Sequence, residues 1–443
     1  MRIALVAQPM DYLVPPVEGG SSIAAWIYNV AQRLSKQAEV RVYASHGPAW
    51  THHCLSHEGV TYQYFPEFPQ SVLLKAQRLP YKVHRLARQK FPSIRWQPFT
   101  LPSYATEHVG YGLFVARALK KYPADVVHVI NFTQLIPIIR RLNPHTSIVL
   151  NMHCEWLSQL DRTIMGKRLR QADAMIGCST HITQEVQDAF PWAASRCFTV
   201  WNAVDPEIFH PSDTPASGKE QKLLFIGRIS PEKGVHTLIK AFIEHIAPRF
   251  PDLKLYLIGS EHMVPAVDTI VEIADDPHVR ALKRFYDNTP YFIHLQRMIP
   301  ASLKERIIFT GGLSHKEIPD LLRQATLLVN PSLSESFGIS LIEAMACEVP
   351  VVATRVGGMT DIVQNERNGL LVPPESPNDL ASAIIRLLEQ PELRQKLGKQ
   401  GRTDVLNRFT WKHTVDRLLS VYQHIQQAHA PSQVPLASIK QCT

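Results

Sequence analysis

The sequence predicts an α/β protein made of two doubly wound units. Three observations carry that expectation: short continuous apolar runs, amphipathic stretches between them, and one polar lapse dividing the alternation into halves of similar size. Ile3 to Ala7 is the first expected strand, followed by Glu18-Gly19-Gly20 and an apolar-periodic stretch from Ile23 to Leu34. Strand, glycine turn and helix in that order open a doubly wound sheet. Further strands are expected at Val40 to Ala44, Val60 to Phe65, Val126 to Ile130, Ile148 to Met152, Ala174 to Gly177 and Phe198 to Trp201. Helices such as Tyr111 to Tyr122 and Ile182 to Phe190 lie between them. Runs that are apolar throughout belong to strands covered on both faces, so the sheet should be parallel.

From Asp205 to Lys222 the pattern lapses into Pro206, Pro211, Ser212, Asp213, Pro215, Ser217 and Gly218, the composition of a linker. It restarts with Leu223 to Gly227, a helix from Val235 to Phe250, and Leu255 to Gly259. Strands follow at Ile307 to Thr310, Leu327 to Val329, Val351 to Ala353 and Leu370 to Val372. The last helical stretch, Trp411 to Gln427, lies beyond the final strand and is expected to cross back onto the first unit. The expected organisation is an N-terminal Rossmann-like domain over 1–203, a second over 204–410, a returning helix over 411–430 and a disordered tail over 431–443. Two segments break the rhythm: 72–103 has no clean period, and 261–302 is a long, partly helical insertion.

Composition removes several classes. A chain of 443 residues with 45% hydrophobic residues can build sizeable cores, which excludes wholesale disorder. No apolar run approaches the ~18 residues of a membrane span, and the apolar start ends at Gln8, short of a secretory core. The 6 cysteines have no C-x-x-C spacing, which favours free thiols in a reducing cytoplasm over a zinc ribbon or a disulfide framework. The net charge of +8 is local: Lys75, Arg78, Lys82, Arg85, Arg88, Lys90 and Arg95 occur between Val72 and Trp96 without an acid.

The densest chemical signal runs from Asn330 to Ala346, where a strand ends, a small-residue loop follows and a helix starts near Gly338. Glu335 lies in the loop and Glu343 inside the helix. One carboxylate beside free backbone N–H groups at a helix start suits sugar hydroxyls and phosphate, and the deeper one could accept bonds from a ribose. The bland reading makes Glu335 a cap and Glu343 a solvated residue.

This segment resembles the E-x7-E signature of the retaining glycosyltransferases of family 4, which have the two-domain GT-B fold. The likeness extends through Pro331-Ser332, Phe337-Gly338 and Glu343-Ala344-Met345-Ala346 to Val349-Pro350-Val351-Val352-Ala353 and Gly357-Gly358. Gly227-Arg228 with Lys233-Gly234 looks like the G-R-x4-K phosphate element. Asn202-Ala203-Val204-Asp205 with Phe209 looks like the interdomain motif, and Phe309-Thr310-Gly311-Gly312 matches the strand before the donor helices. The resemblance covers most of 200–410, and the N-terminal half more loosely. It departs at Glu348, where a glycine would suit a left-handed helix cap, and at Ala203.

The resemblance implies an enzyme of cell-envelope or polysaccharide biosynthesis that moves a sugar from a UDP- or GDP-sugar to an acceptor sugar or lipid-linked glycan. It implies GT-B architecture, two domains facing a cleft with the C-terminal helix returning. Arg228 and Lys233, at the carboxyl end of a strand and in the next turn, would neutralise the departing diphosphate. No D-x-D pair is placed like a metal site, and neither a metal nor another cofactor is expected. Glu335 would orient the transferred sugar in a front-face reaction. Ser336, Phe337, Gly338, Ile339 and Glu343 would complete the donor contacts. In the first unit Gly19 and Gly20 would let backbone approach the phosphates, and His153 would contact the donor sugar from a strand end. His128, inside a strand, reads as a core residue.

The basic stretch 72–96 has three open readings: an anionic membrane surface, a phosphate-bearing acceptor, or a solvated loop. Nucleic-acid binding has no supporting module. The expected location is the cytoplasm, with contact at the inner membrane face through this stretch. Two rival functions share the fold: a nucleotide-sugar epimerase and a catalytically silent coat or scaffold protein.

Overall fold

The structure is a computed structural model and describes residues 1–17, 21–45, 54–65, 90, 108–212, 221–261, 264–265 and 267–429. Gly19 and Gly20, the basic stretch 72–96 apart from Lys90, and the tail 431–443 thus lie outside the described residues.

Two sheets are present. The first comprises β1 (Arg2–Val6), β2 (Glu39–Ala44), β3 (Cys54–His57), β4 (Val60–Tyr64), β5 (Val126–Ile130), β6 (Ser147–Met152), β7 (Ala174–Gly177) and β8 (Cys197–Thr199), in the order β3-β4-β2-β1-β5-β6-β7-β8. The second comprises β9 (Lys222–Ile226), β10 (Lys254–Ile258), β11 (Ile307–Gly311), β12 (Leu327–Asn330), β13 (Val351–Thr354) and β14 (Leu370–Val372), in the order β11-β10-β9-β12-β13-β14. Strand order reverses between β1 and β5 in one sheet and between β9 and β12 in the other, and crevices form at such switch points. β5, β6 and β7 are buried at every position, as strands covered on both faces must be.

Two elements differ from expectation. β3 pairs antiparallel with β4, so the first sheet is not wholly parallel. The turn between them is Glu58-Gly59, both at positive φ (46° and 81°), the backbone that a two-residue hairpin of matching twist requires. The helix expected from Val235 to Phe250 is α-helical only over Val235–Ala241. It then widens into a π turn over Phe242–Ile246, with Phe242 and Ile246 both fully buried. Glu348 does take the left-handed conformation read from its position after the helix Ile339–Ala346, at φ 59°.

The last helix, Trp411–His429, packs back on the first sheet. Its Trp411, Val415, Leu418, Val421, Tyr422 and Ile425 recur at helical spacing and are all buried beside Ile3, Leu5 and Trp26. Each such side chain contributes roughly 1.5–3 kcal/mol when taken from water. Within this layer Tyr422 Oη and His128 Nδ1 are hydrogen-bonded at 2.6 Å. Burial pushes the His128 imidazole down to about 3, so it is neutral, a core residue as expected.

The chain crosses between the sheets twice, side by side. Val204 N–H donates to Phe409 O at 2.9 Å, and Val204 bridges Thr410. Arg33 of the helix Ser22–Leu34 ties the crossing down through Asp205 at 2.8 Å. Among the described residues no helix is long and apolar enough to cross a membrane.

Tyr422→Phe leaves both ring nitrogens of a buried histidine without partners, since His128 Nε2 has none already. The expected cost is about 1–3 kcal/mol, read as a lower urea midpoint.

Candidate active site

The carboxyl ends of β9 and β12 carry the densest cluster of charges. β9 ends at Ile226; Gly227 and Arg228 follow, and Pro231–Lys233 form a tight turn before the helix Val235–Ala241. Lys233 Nζ donates to Glu335 Oε2 at 2.7 Å, with both side chains only 16% exposed. Burial pushes the Glu335 carboxyl up, but the Lys233 ammonium and the Phe337 backbone N–H outweigh it and hold the group below the usual carboxylate range. Arg228 Nη2 donates to Glu232 Oε1 at 3.1 Å, and Ser230 Oγ donates to the same oxygen at 2.6 Å. Glu232 is buried while Arg228 is 43% exposed, so the carboxylate anchors one side of the guanidinium and leaves the other toward solvent.

Two glycines make this loop possible. A Cβ on Gly234, at φ 66°, would lie 2.0 Å from Pro331 O; one on Gly357, at φ 50°, would lie 2.0 Å from Glu335 O. Only bare backbone allows three segments to meet there. Gly358 N–H then donates to Glu335 O at 2.9 Å, and Leu333 N–H to Glu232 O at 2.8 Å. Gly338, at φ 105°, begins the helix Ile339–Ala346, so Glu335 is not its cap.

The other sequence candidates separate in role. Phe337 is buried, 5.9 Å from Phe409, so its side chain serves the core and only its backbone faces the loop. Ile339 is half-buried against the same core, and the Ser336 carbonyl accepts from Cys178 Sγ at 3.6 Å. Glu343 is buried rather than solvated and accepts from His315 Nε2 at 2.9 Å. That bond raises the His315 imidazole, against the pull of burial.

In the first unit His153 follows β6. Its backbone N–H donates to Asn131 Oδ1 at 2.7 Å, and its ring stands edge-on to Trp26 at 5.0 Å. Burial pushes its imidazole down to about 3, and Nε2 has no partner. The ring is therefore neutral and fit to hydrogen-bond a sugar hydroxyl, not to carry charge.

Contacts between the units bring these groups to one cleft. Asp361 Oδ2 accepts from Thr180 N–H at 2.6 Å and Trp201 Nε1 at 2.8 Å. Trp156 Nε1 donates to Thr269 O of the 261–302 insertion at 3.3 Å. Leu333 of the loop after β12 packs with Val271 and Leu282 of that insertion. Glu232, His315 and Asp361 went unread in the sequence. Glu232 had a signal, an acid placed between two cations in a tight turn; Asp361 had none, because its partners are distant in the chain.

Two such units, meeting where strand ends carry a pair of cations, define the GT-B class of sugar transferases. Residues 23–208 match the family described as Glycosyltransferase Family 4, and residues 207–404 match Glycosyl transferases group 1. The chain belongs to glycosyltransferase family 4: it is a retaining glycosyltransferase, of EC class 2.4, that transfers sugar from a nucleotide-sugar donor. It is 28% identical over 331 residues to spore coat protein SA of Bacillus subtilis (strain 168), covering 70% of this chain and 81% of that one. Sucrose-phosphate synthase from Thermosynechococcus elongatus superimposes with a TM-score of 0.66 at 21% identity, covering 96% of this chain and 99% of the other. Anabaena Alr3699/HepE in complex with UDP and glucose does so at 0.62 and 18% identity, again covering 96% and 99%. At those identities the structures establish the shared fold.

Lys233→Met removes the cation that keeps Glu335 ionised in a buried place. Glu335 has a folded-state pKa below its unfolded value, so its stabilisation is present above about pH 4.3 and is lost as pH falls through the folded value. The variant should lose about 3–5 kcal/mol at neutral pH, with the gap to the unaltered protein closing in acid as Glu335 protonates in both. Urea unfolding across pH measures it.

Proposed function

We propose that the enzyme binds a UDP- or GDP-sugar with its diphosphate between Arg228 and Lys233, and passes the sugar to a hydroxyl of a glycan or lipid-linked glycan held by the first unit. The observation that carries this reading is the pair of cations at the β9–β12 switch point, each already oriented by a buried carboxylate. UDP, bound in the Anabaena structure of the same fold, is the first nucleotide to test.

The chemistry follows from the charges. As the bond from the anomeric carbon to the β-phosphate oxygen breaks, negative charge grows on the leaving diphosphate. Arg228 offers a planar fork of N–H donors and Lys233 a compact charge, both in a partly desolvated loop where such donors are strong. That is the work a metal ion does elsewhere. The acceptor hydroxyl adds to the same face of the sugar, and its proton passes to the departing phosphate oxygen. Glu335 accepts sugar hydroxyls while Lys233 turns part of its hydrogen bonding to phosphate. Neutral His153 contacts the sugar from the opposite side of the cleft, and Glu343 accepts from the ribose. Gly19 and Gly20 complete the phosphate contacts from the first unit.

A nucleoside diphosphate at 100 times its dissociation constant should add about 2.7 kcal/mol and raise the melting temperature. Screening UDP, GDP and ADP identifies the base. Arg228→Ala and Lys233→Ala should each lower turnover about 10²–10³-fold. Unchanged turnover in the double variant overturns the diphosphate role of both cations. Nucleoside diphosphate released only with acceptor present rejects an epimerase, and a chain that binds no nucleotide at all is a scaffold.

A further inference from the structure

The first sheet carries its own polar assembly at its switch point, on residues that the donor reading does not use. Asn131 directly follows β5, and Gln8 follows β1 by one residue past Ala7. Asn131 Oδ1 accepts from His153 N–H at 2.7 Å, and Asn131 Nδ2 donates to Gln8 Oε1 at 2.9 Å. Gln8 Nε2 donates to Asp11 Oδ2 at 3.0 Å, and Ser21 Oγ donates to Asp11 Oδ1 at 2.7 Å. Ser21 Oγ in turn accepts from Ala24 N–H at 3.0 Å, capping the helix Ser22–Leu34. Asn131, Gln8 and Asp11 are exposed by only 7%, 7% and 4%.

The direction of every bond is forced by its two ends. A backbone N–H can only donate, so Asn131 must turn its oxygen to His153 and its NH2 to Gln8. With its oxygen taken by the Asn131 NH2, Gln8 has its own NH2 left for Asp11. Reversing one amide sets like groups against each other along the whole line. Asn131 also holds a left-handed backbone at φ 58°, which a glycine would adopt without strain but without the amide.

We propose that Asn131 is a positioning residue: it sets the place of His153, just after β6, and through Gln8 and Asp11 ties it to the start of the helix Ser22–Leu34. This rests on reading His153 as a donor contact. The amide line makes that strand end and that helix start move as one.

Asn131→Asp tests it. The ionised aspartate cannot donate, so Gln8 turns its NH2 toward residue 131 and its oxygen against Asp11. Protonation restores a donor and the original direction. The groups facing this position are Asp11 from the loop after β1, His153 after β6, and Arg168 from the helix Arg162–Leu169, bonded to Thr133. His108 against Phe132 and the Tyr111 hydroxyl on Ala7 O complete the set. Burial beside Asp11 raises the new carboxyl above its ordinary value of about 3.9, into a range where the enzyme can be assayed.

Turnover is read as nucleoside diphosphate release, with water as the acceptor, from the nucleotide sugar that most raises the melting temperature of the unaltered enzyme. At about pH 8 the variant should turn over about tenfold to a hundredfold more slowly than the unaltered enzyme, and the ratio should climb as pH falls toward about 5. Nucleoside diphosphate affinity, to which Arg228 and Lys233 contribute most, should change far less than turnover. Asn131→Gly keeps the backbone and loses the amide, so its deficit should be flat with pH. In histidine-15N-labelled protein the His153 amide signal should move with pH in Asn131→Asp and stay fixed in the unaltered enzyme, whatever the donor. A variant ratio independent of pH, or a His153 amide blind to the substitution, overturns the proposal. His153→Ala with full turnover would instead overturn the sugar contact itself, while the amide signal still decides the polar line.

Discussion

In a parallel sheet whose strand order reverses, the connections on either side of the reversal leave in opposite directions, and no helix covers the gap above the strand ends. Both sheets here have one such gap, and each is spanned by a polar link. Between β9 and β12 it is the Lys233–Glu335 ion pair; between β1 and β5 it is the Asn131–Gln8 amide bond. The difference in chemistry fits the division of labour. On the proposed reading the second unit would face a ligand of high negative charge, which cations suit. The first would face sugar hydroxyls, which suit neutral groups held in fixed orientation, here a depressed imidazole and two amides.

A largely buried cation such as Lys233 needs a partner, because an unpaired charge out of water costs several kcal/mol. The loop supplies carboxylates of its own. Glu335 and Glu232 hold Lys233 and Arg228 in place. On the proposed reading an incoming diphosphate would exchange one anion for another or add a second around the same cation, and little side-chain ordering would be left to do. Close backbone packing at Gly234 and Gly357 keeps the carboxylates where this exchange can happen.

Much of this was legible in the residues. Strands such as Ala174–Gly177 and Leu370–Val372 announce themselves as continuous apolar runs, and Glu335 lies in a loop whose small residues and following helix are local features. Even the left-handed Glu348 followed from its place after a helix end. What stayed hidden depends on contacts between residues far apart in the chain. Cys54–His57 has a mixed pattern that becomes a strand only by pairing with β4. Glu343 was read as a deeper carboxylate, but the imidazole that meets it, His315, lies 28 positions earlier and no local pattern pairs them. The Asn131 line joins five residues from three strand ends and a helix start, and no spacing rule connects them.

The paired crossings at Val204 and Thr410 have a mechanical consequence. Adjacent parallel segments joined by backbone bonds behave like a pin, permitting rotation about one axis and resisting slip along it. Trp201 sits beside that pin under the guanidinium groups of Arg408 and Arg417, 4.7 and 4.0 Å from its ring centre, with its indole N–H on Asp361. Being close to the axis, the two short bonds that Asp361 accepts from Thr180 and Trp201 are stretched least by a swing of the cleft, so they can persist while contacts at the far rim open.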